Sequence, residues 1–175
     1  MREIAITTPL NEEKIAGLRI GDKVLLSGIV YTARDKAHQK LIDLLNDNKE
    51  LPFNLKDSII YYCGPVFSEK SGKIISAGPT TSERMDRYTL QLLKAGVKGF
   101  IGKGRRSQEV IDLFREYQAV YFCAVGGAGV YLAKRITKYR LLAYPELGLE
   151  GIYELRVSEF PCYVAVDSFG DKLFR

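Results

Sequence analysis

The first half of the chain alternates between an apolar run and a helical pattern. Residues 24–30, VLLSGIV, form a dense apolar run that is typical of a buried strand. Residues 34–46 have a different period, because apolar side chains recur at i, i+4, i+7 and i+8 from Ala37 and so share one face of a helix. The first pattern therefore predicts a strand and the second a helix.

The same reasoning predicts the elements that follow. Strands are expected over 58–62, 97–101 and 119–125, helices over 83–95 and 107–117, and a glycine turn leading into a helix over 126–135. Pro161 divides two further predicted strands, 152–157 and 163–166, before a turn at 167–170. This alternation of strands and helices predicts an α/β fold with a mixed central sheet, as a single domain over residues 1–175.

The composition is that of a globular protein. The chain has 175 residues, of which 46% are hydrophobic and 27% are charged, and this length fits one domain. Lys and Arg number 26 against 21 Asp and Glu, which gives a formal net charge of +5. This excess suits an anionic ligand or an acidic partner, but it is too small to indicate nucleic acid.

Several classes of protein are not indicated. The first nine residues lack the apolar stretch and cleavage site of a secretory signal. Cys63, Cys123 and Cys162 lie far apart and form no CxxC, so neither a disulfide framework nor a metal site is predicted for this chain. The uncharged stretch 117–133 contains three glycines, and a strand, turn and helix explain it better than a membrane span. The simplest interpretation is a cytoplasmic protein.

The most informative segment is GPTTSERMD, residues 78–86, because three hydroxyl side chains precede a predicted helix. Thr81 or Ser82 could cap this helix by accepting from its free N–H groups. Alternatively, Thr80, Thr81 and Ser82 could form an anion site with the helix N-terminus, to which Arg84 would add a bidentate fork for a carboxylate. The pattern alone favours the cap.

Two other segments carry charged residues at predicted strand ends. Arg34, Asp35 and His38, the single histidine, follow the first strand, and they fit a ligand site as well as they fit surface or packing positions. In Gly102-Lys103-Gly104 the lysine could reach a phosphate or carboxylate, or it could simply occupy a tight turn. The adjacent Arg105-Arg106 is interpreted as a solvated basic edge.

Two weaker patterns favour structural explanations. The glycine turn 125–129 matches a dinucleotide-binding turn poorly, so close packing of a helix on a strand is the better explanation. Glu146 and Glu150 could pair as acid and base, but exposed loop charges are the better interpretation.

Taken in order, these segments resemble the β-type subunit, or C-terminal domain, of the class I (iron–sulfur) fumarate hydratase and L-tartrate dehydratase family. The resemblance covers nearly the whole chain. It is carried by GIVYTARDKAH (28–38), YCGPV (62–66), GPTTSERMD (78–86), IGKG (101–104), GGA (126–128), ELGLE (146–150) and FP (160–161). The GPTTS-x-RMD and RDxxH runs are specific, whereas the glycine turns only support them.

The resemblance implies a swivelling β/β/α fold and a larger α subunit as partner, in an α2β2 assembly. The α subunit of this family binds a [4Fe–4S] cluster through three cysteines, and the open iron position acts as a Lewis acid on the substrate hydroxyl. The cluster would belong to the partner, since the three scattered cysteines of this chain cannot hold it. The implied reaction is reversible hydration of a dicarboxylate, such as fumarate to L-malate in the tricarboxylic acid cycle.

The resemblance also implies roles for individual residues. Arg34, Thr81, Arg84 and Lys103 would bind the dicarboxylate together with Thr80, which is the candidate base or, more conservatively, a hydrogen-bond ligand. Asp35, His38 and Ser82 would support them, with Asp35 and His38 orienting Arg34 or lining the subunit interface.

Three alternatives remain at this point. The enzyme could be an L-tartrate dehydratase. The chain could instead be a non-enzymatic anion- or nucleotide-binding module, or an RNA-contacting domain, although it lacks a concentrated basic stripe.

Overall fold

The computed structural model describes residues 2–174, which form nine strands and five α-helices. The strands are β1 (Glu3–Thr7), β2 (Lys23–Thr32), β3 (Ile59–Tyr61), β4 (Val66–Phe67), β5 (Ile74–Ser76), β6 (Gly99–Gly102), β7 (Val120–Cys123), β8 (Ile136–Ala143) and β9 (Ile152–Val166). The helices are α1 (Glu12–Ala16), α2 (Asp35–Asn46), α3 (Asp86–Lys94), α4 (Gln108–Glu116) and α5 (Gly129–Ala133), and 3-10 turns cover Glu83–Met85 and Pro145–Glu150.

One mixed sheet of seven strands organises the fold, in the order β1-β2-β3-β6-β7-β9-β8. The five strands from β1 to β7 in this order run parallel, whereas β9 is antiparallel to β7, β8 and β2. Because β9 pairs with both β2 and β7, it closes the sheet on itself. The expected α/β fold with a mixed sheet is confirmed.

The parallel strands are buried on both faces, which explains their continuous apolar sequences. In β3, Ile59 and Tyr61 point into a core shared with β1, β2 and β9, whereas Ile60 points into a second core beneath the helices. Helices α2, α3 and α4 cover that second core with residues such as Leu41, Leu92 and Phe114. The sheet therefore has a hydrophobic core on each face, and these three helices cover one of them.

Several elements differ from the sequence-based expectations. The predicted helix 83–95 is a 3-10 turn followed by α3, and the two predicted strands 152–157 and 163–166 are one strand, β9. Strand β9 continues through Pro161 because β2 pairs with it on both sides of the proline, from Glu154 to Tyr163, while β8 pairs with its first part and β7 with its end. Within residues 2–174, no helix combines the length and the apolar character that a membrane crossing requires.

Candidate active site

Four parallel strands end at the same edge of the sheet, and each continues into a segment that the sequence analysis singled out. Strand β2 leads to Arg34, β3 to Gly64, β6 to Lys103 and β7 to Gly126. Ligand sites in α/β sheets form at such carboxyl edges, because the loops there converge while the strands hold their starting points. This edge is the candidate site.

The segment 78–82 lies between the ends of β3 and β6 in place of a further strand. The Thr80 N–H donates to the carbonyl of Tyr62 at 2.6 Å, and the Lys103 N–H donates to the carbonyl of Thr80 at 3.2 Å. Ser82 completes the pairing by donating its N–H to the Lys103 carbonyl at 3.0 Å. Thr80 is therefore held half-buried at the edge, with Thr81 exposed beside it.

Ser82 does not cap the following helix, which corrects the interpretation that the pattern favoured. The side chain of this buried serine makes no capping bond; its Oγ lies 2.9 Å from the hydroxyl of Tyr121. Gly102 makes the approach possible, since a Cβ there would lie 1.9 Å from Ser82 Oγ. The serine side chain thus links the 78–82 segment to the core instead of capping the start of the following helix.

Arg84 and Asp35 form a bidentate ion pair between the two motifs that carry the resemblance. Nε and Nη2 of Arg84 each donate to one oxygen of Asp35 at 3.1 Å. Partial burial acts to raise the pKa of the Asp35 carboxyl, but the hydrogen bonds from Arg84 and the charges of Arg84 and Arg34 outweigh it, so the pKa is lowered. Asp35 therefore orients Arg84, whereas the resemblance implied that it orients Arg34 or lines the subunit interface.

Arg34 has a different acidic neighbour, Glu150, from the 3-10 turn before β9. Arg34 Nε lies 3.7 Å from Glu150 Oε1, and the arginine packs against Gly64, where an added Cβ would lie 3.2 Å from Nη1. Glu146 points elsewhere and pairs with Lys40 at 3.2 Å, with 57% of its side chain exposed. Glu150 and Glu146 therefore lie beside different basic side chains, Arg34 and Lys40 respectively.

His38 is fully buried behind Arg34. Its Nδ1 lies 2.8 Å from the Arg34 carbonyl, and because a carbonyl only accepts, Nδ1 carries the proton and donates. The ring stacks on Tyr88 and meets Tyr62 edge-on. Burial lowers the pKa of His38 to about 4, so the ring is neutral near pH 7. His38 thereby holds the backbone from which the Arg34 side chain extends.

Lys103 is exposed, and among residues 2–174 its ammonium makes no ion pair. Its side chain passes close to Gly126, where an added Cβ would lie 3.7 Å from Lys103 Cδ. Beyond it, Gly104 has a φ of +81°, a conformation that favours glycine. Lys103 therefore lies exposed at the candidate edge, next to the glycine turn that follows β7.

Arg106 corrects the expectation of a solvated basic edge, since its side chain is 0% exposed. The guanidinium donates to Asp86 at 2.5 Å and to Thr89 at 2.7 Å, and it lies against the rings of Tyr62 and Tyr121 among others. Sequence reasoning missed both Arg106 and Tyr121 as supports of the site. The only local signal was that Arg106 closely follows the Gly102-Lys103-Gly104 turn.

The glycine turn 126–129 serves close packing, as expected. An added Cβ at Gly129 would lie 2.4 Å from Ser76 Oγ and 3.1 Å from Gly78 N, so α5 approaches β5 and the start of the 78–82 segment at backbone distance. The turn thereby supports the candidate site from the side.

The cysteines do not fit an iron–sulfur cluster. Cys63 and Cys162 are fully buried in the core, and burial raises the pKa of Cys63 to about 12, which disfavours the thiolate that a metal needs. Within the part of the chain that the structure describes, no three His, Cys, Asp or Glu side chains form a group that could hold a metal ion.

Known proteins match this chain over nearly its whole length. A family model described as the fumarase C-terminus covers residues 1–175. A Methanocaldococcus jannaschii protein, provisionally named L(+)-tartrate dehydratase subunit beta, is 38% identical over 171 residues, which are 94% of this chain and 88% of that protein. The Escherichia coli K12 L(+)-tartrate dehydratase subunit beta is 31% identical over 96% of this chain and 85% of its own length.

A longer relative matches as well. The anaerobic class I fumarate hydratase of Escherichia coli K12 is 35% identical over 178 residues, which are 99% of this chain but 32% of that enzyme. The chain therefore spans most of the length of the tartrate dehydratase subunits and about a third of the fumarate hydratase.

Proposed function

This chain belongs to the fumarase C-terminus family, and from that premise we propose that it is the β subunit of an iron–sulfur-dependent hydro-lyase, as a single domain over residues 1–175. The proposed reaction is reversible hydration of fumarate to L-malate. One observation carries the proposal: Arg34, Thr80, Arg84 and Lys103 all belong to segments that meet at one edge of the sheet.

The residue types suit a dicarboxylate. Two guanidiniums and an ammonium offer charge-assisted hydrogen bonds to two carboxylates, and the planar fork of an arginine matches a carboxylate geometrically. Arg84 uses Nε and Nη2 on Asp35, so Nη1 remains available to substrate. The exposed Thr81 hydroxyl adds a neutral donor at the same edge.

Adding or removing water also requires proton transfer to or from the substrate carbon next to a carboxylate. We assign this proton transfer to Thr80 Oγ1, which would first release its own hydroxyl proton to solvent and then accept the substrate proton as an alkoxide. Arg84 and Lys103 would stabilise that alkoxide and the negative charge that develops on the substrate carboxylate. Its position between Tyr62 and Lys103 supports this role, since both backbone bonds hold Thr80 beside the lysine. The conservative alternative is that Thr80 only donates a hydrogen bond to substrate.

The proposal places the [4Fe–4S] cluster on a separate α subunit, in an α2β2 assembly. The buried cysteines of this chain and the lack of a metal-holding group within residues 2–174 support a partner as the source of the cluster. L(+)-tartrate is a second candidate substrate, because the relatives of similar length are named as tartrate dehydratase β subunits.

The test is anaerobic co-expression with the cognate cluster-bearing chain, followed by assays with fumarate, L-malate and L(+)-tartrate. Activity that requires both chains supports the subunit role, and the substrate preference decides between the two reactions. Assembly with an intact cluster but no turnover of any dicarboxylate would contradict the proposed substrates, and failure to associate would contradict the partnership.

Site variants test the residues. Arg34→Ala and Arg84→Ala should each lower kcat/KM by about tenfold or more, since a hydrogen bond to a charged group contributes about 1.5–3 kcal/mol. Arg140→Ala is the matched control, because Arg140 lies on the exposed β8, paired with Glu154. Unchanged kinetics in both site variants would refute the assignment. Thr80→Ser should retain activity that Thr80→Val loses if the hydroxyl transfers the proton or binds substrate.

A further inference from the structure

A single buried hydroxyl, that of Tyr121 in β7, contacts both segments that carry the proposed reactive groups. Its Oη lies 2.9 Å from Ser82 Oγ in the 78–82 segment and 3.0 Å from the carbonyl of Gly104, which follows Lys103 directly. The directions follow from the chemistry of the partners. A carbonyl only accepts, so Tyr121 donates to Gly104, and Ser82 must then donate to the Tyr121 oxygen.

We propose that Tyr121 is a positioning residue that fixes Thr80 and Lys103 relative to each other through this hydroxyl. The proposal deepens the function proposed above and rests on it for the reaction that the two residues serve. Tyr121 is 0% exposed and therefore does not touch substrate. It would act only through the two segments it joins.

The backbone bonds already described leave one side of Lys103 without support. They link the lysine to residues 80 and 82, but they do not hold the chain beyond it, where Gly104 adopts a positive φ. The Tyr121 hydroxyl holds the Gly104 carbonyl and so fixes that far side. Lys103 is thereby held on both sides, and Ser82 ties the same hydroxyl to the segment of Thr80.

The ring of Tyr121 is itself held in place by the side chains that pack against it. Its ring stacks parallel to Phe114, at an interplanar angle of 8°, and lies 5.1 Å from the guanidinium carbon of Arg106. Arg106 in turn is held by Asp86 and Thr89. Gly102 leaves the space through which Ser82 reaches the hydroxyl. Because these contacts hold the ring, the Tyr121 hydroxyl is held in one position, as a positioning role requires.

Tyr121→Phe is the direct test, because it removes only the hydroxyl and keeps the ring and its contact with Arg106. Hydrogen exchange on the full chain should show peptides covering 78–86 and 102–107 exchanging about tenfold faster, with β2 and β9 unchanged, given the usual strength of two neutral hydrogen bonds. Tyr139→Phe is the matched control, since it removes a tyrosine hydroxyl that donates to the carbonyl of Gly72, outside both of these segments.

The kinetic test uses the assembled enzyme. Tyr121→Phe should lower kcat per intact cluster and raise the KM for dicarboxylate, with kcat/KM about tenfold lower, whereas Tyr139→Phe should change neither. A merely structural defect would lower the amount of active enzyme and leave KM unchanged. Ser82→Ala should give part of the effect, and adding it to Tyr121→Phe should give little more, since the bond between them is already lost.

The outcomes separate this proposal from the proposed function. Unchanged exchange in both segments would overturn the positioning role, and so would faster exchange with an unchanged KM and kcat. If the wild-type assembly turns over no dicarboxylate, the proposed function fails, and the exchange result on the full chain alone decides whether Tyr121 fixes the two segments.

Discussion

The buried His38 predicts a specific loss of stability in mild acid. The chain contains one histidine, its ring is 0% exposed, and its Nδ1–H donates to the Arg34 carbonyl. Protonation would place a positive charge in a buried site that already contains the guanidinium of Arg106. Burial is the largest cause of the lowered pKa, and the charge of Arg106 acts in the same direction.

The sign and size follow from the two pKa values. The unfolded chain binds the proton with an ordinary pKa of 6.5 and the folded chain with a pKa of about 4, so between these values the unfolded state binds more protons. The contribution of neutral His38 is therefore fully present above about pH 6.5 and is lost as the pH falls towards about 4. At about 1.4 kcal/mol per pKa unit, the loss is about 3 kcal/mol.

Two assays check this prediction on the full chain. Urea unfolding of the wild type and of His38→Gln from pH 7.5 to 4 should show the wild type losing about 3 kcal/mol more than the variant over this range. Carboxylates that titrate in the same range are common to both chains and cancel in the difference. NMR titration of the single imidazole should give no midpoint near 6.5. Equal losses in the two chains, or a midpoint near 6.5, would refute the burial argument.

Two further substitutions test the packing beneath the site by urea unfolding. Gly102→Ala should lower the free energy of unfolding by about 1–3 kcal/mol because the new Cβ would overlap Ser82 Oγ, whereas Gly17→Ala, with no atom nearer than 3.8 Å, should change it little; similar values for both would refute the close approach. Arg106→Met should cost about 3 kcal/mol or more by breaking a buried ion pair, whereas the exposed Arg105→Met should be nearly neutral; equal effects would show that Arg106 is solvated.

Local periodicity predicted the parallel core well, for a physical reason. Strands β3, β6 and β7 bury both faces, so their sequences are continuous apolar runs that stand out against the amphipathic helices between them. Strand β8 carries no such signal, because it is an edge strand whose central residues are exposed. The sequence also could not predict that β9 is one continuous strand. A proline within an apolar run normally indicates the end of a strand, and it is the pairing with β2 and β7 that keeps β9 continuous through Pro161.

The motif residues were located by sequence, but their contacts were not. Arg34, Thr80 and Lys103 follow strands or lie between them, and a parallel sheet brings such ends to one edge. The partner of Ser82 is Tyr121, which lies 39 positions away, and no local pattern distinguishes that contact from an N-cap. The burial of Arg106 was equally hard to predict, because an arginine beside another arginine in a turn normally indicates solvent exposure.

From the sequence, Arg34, Arg84 and Lys103 were predicted to bind the dicarboxylate as three cations of the same kind. The structure shows that they differ in their acidic neighbours. Arg34 and Arg84 each have a carboxylate neighbour, Glu150 and Asp35 respectively, whereas Lys103 makes no ion pair within the described residues. Both arginine pairs are partly exposed, and such pairs stabilise a fold little, so their value lies in orienting the guanidiniums. Of the three, only Lys103 therefore brings a positive charge that no carboxylate offsets, and it is the one for which loss of charge should weaken dicarboxylate binding most.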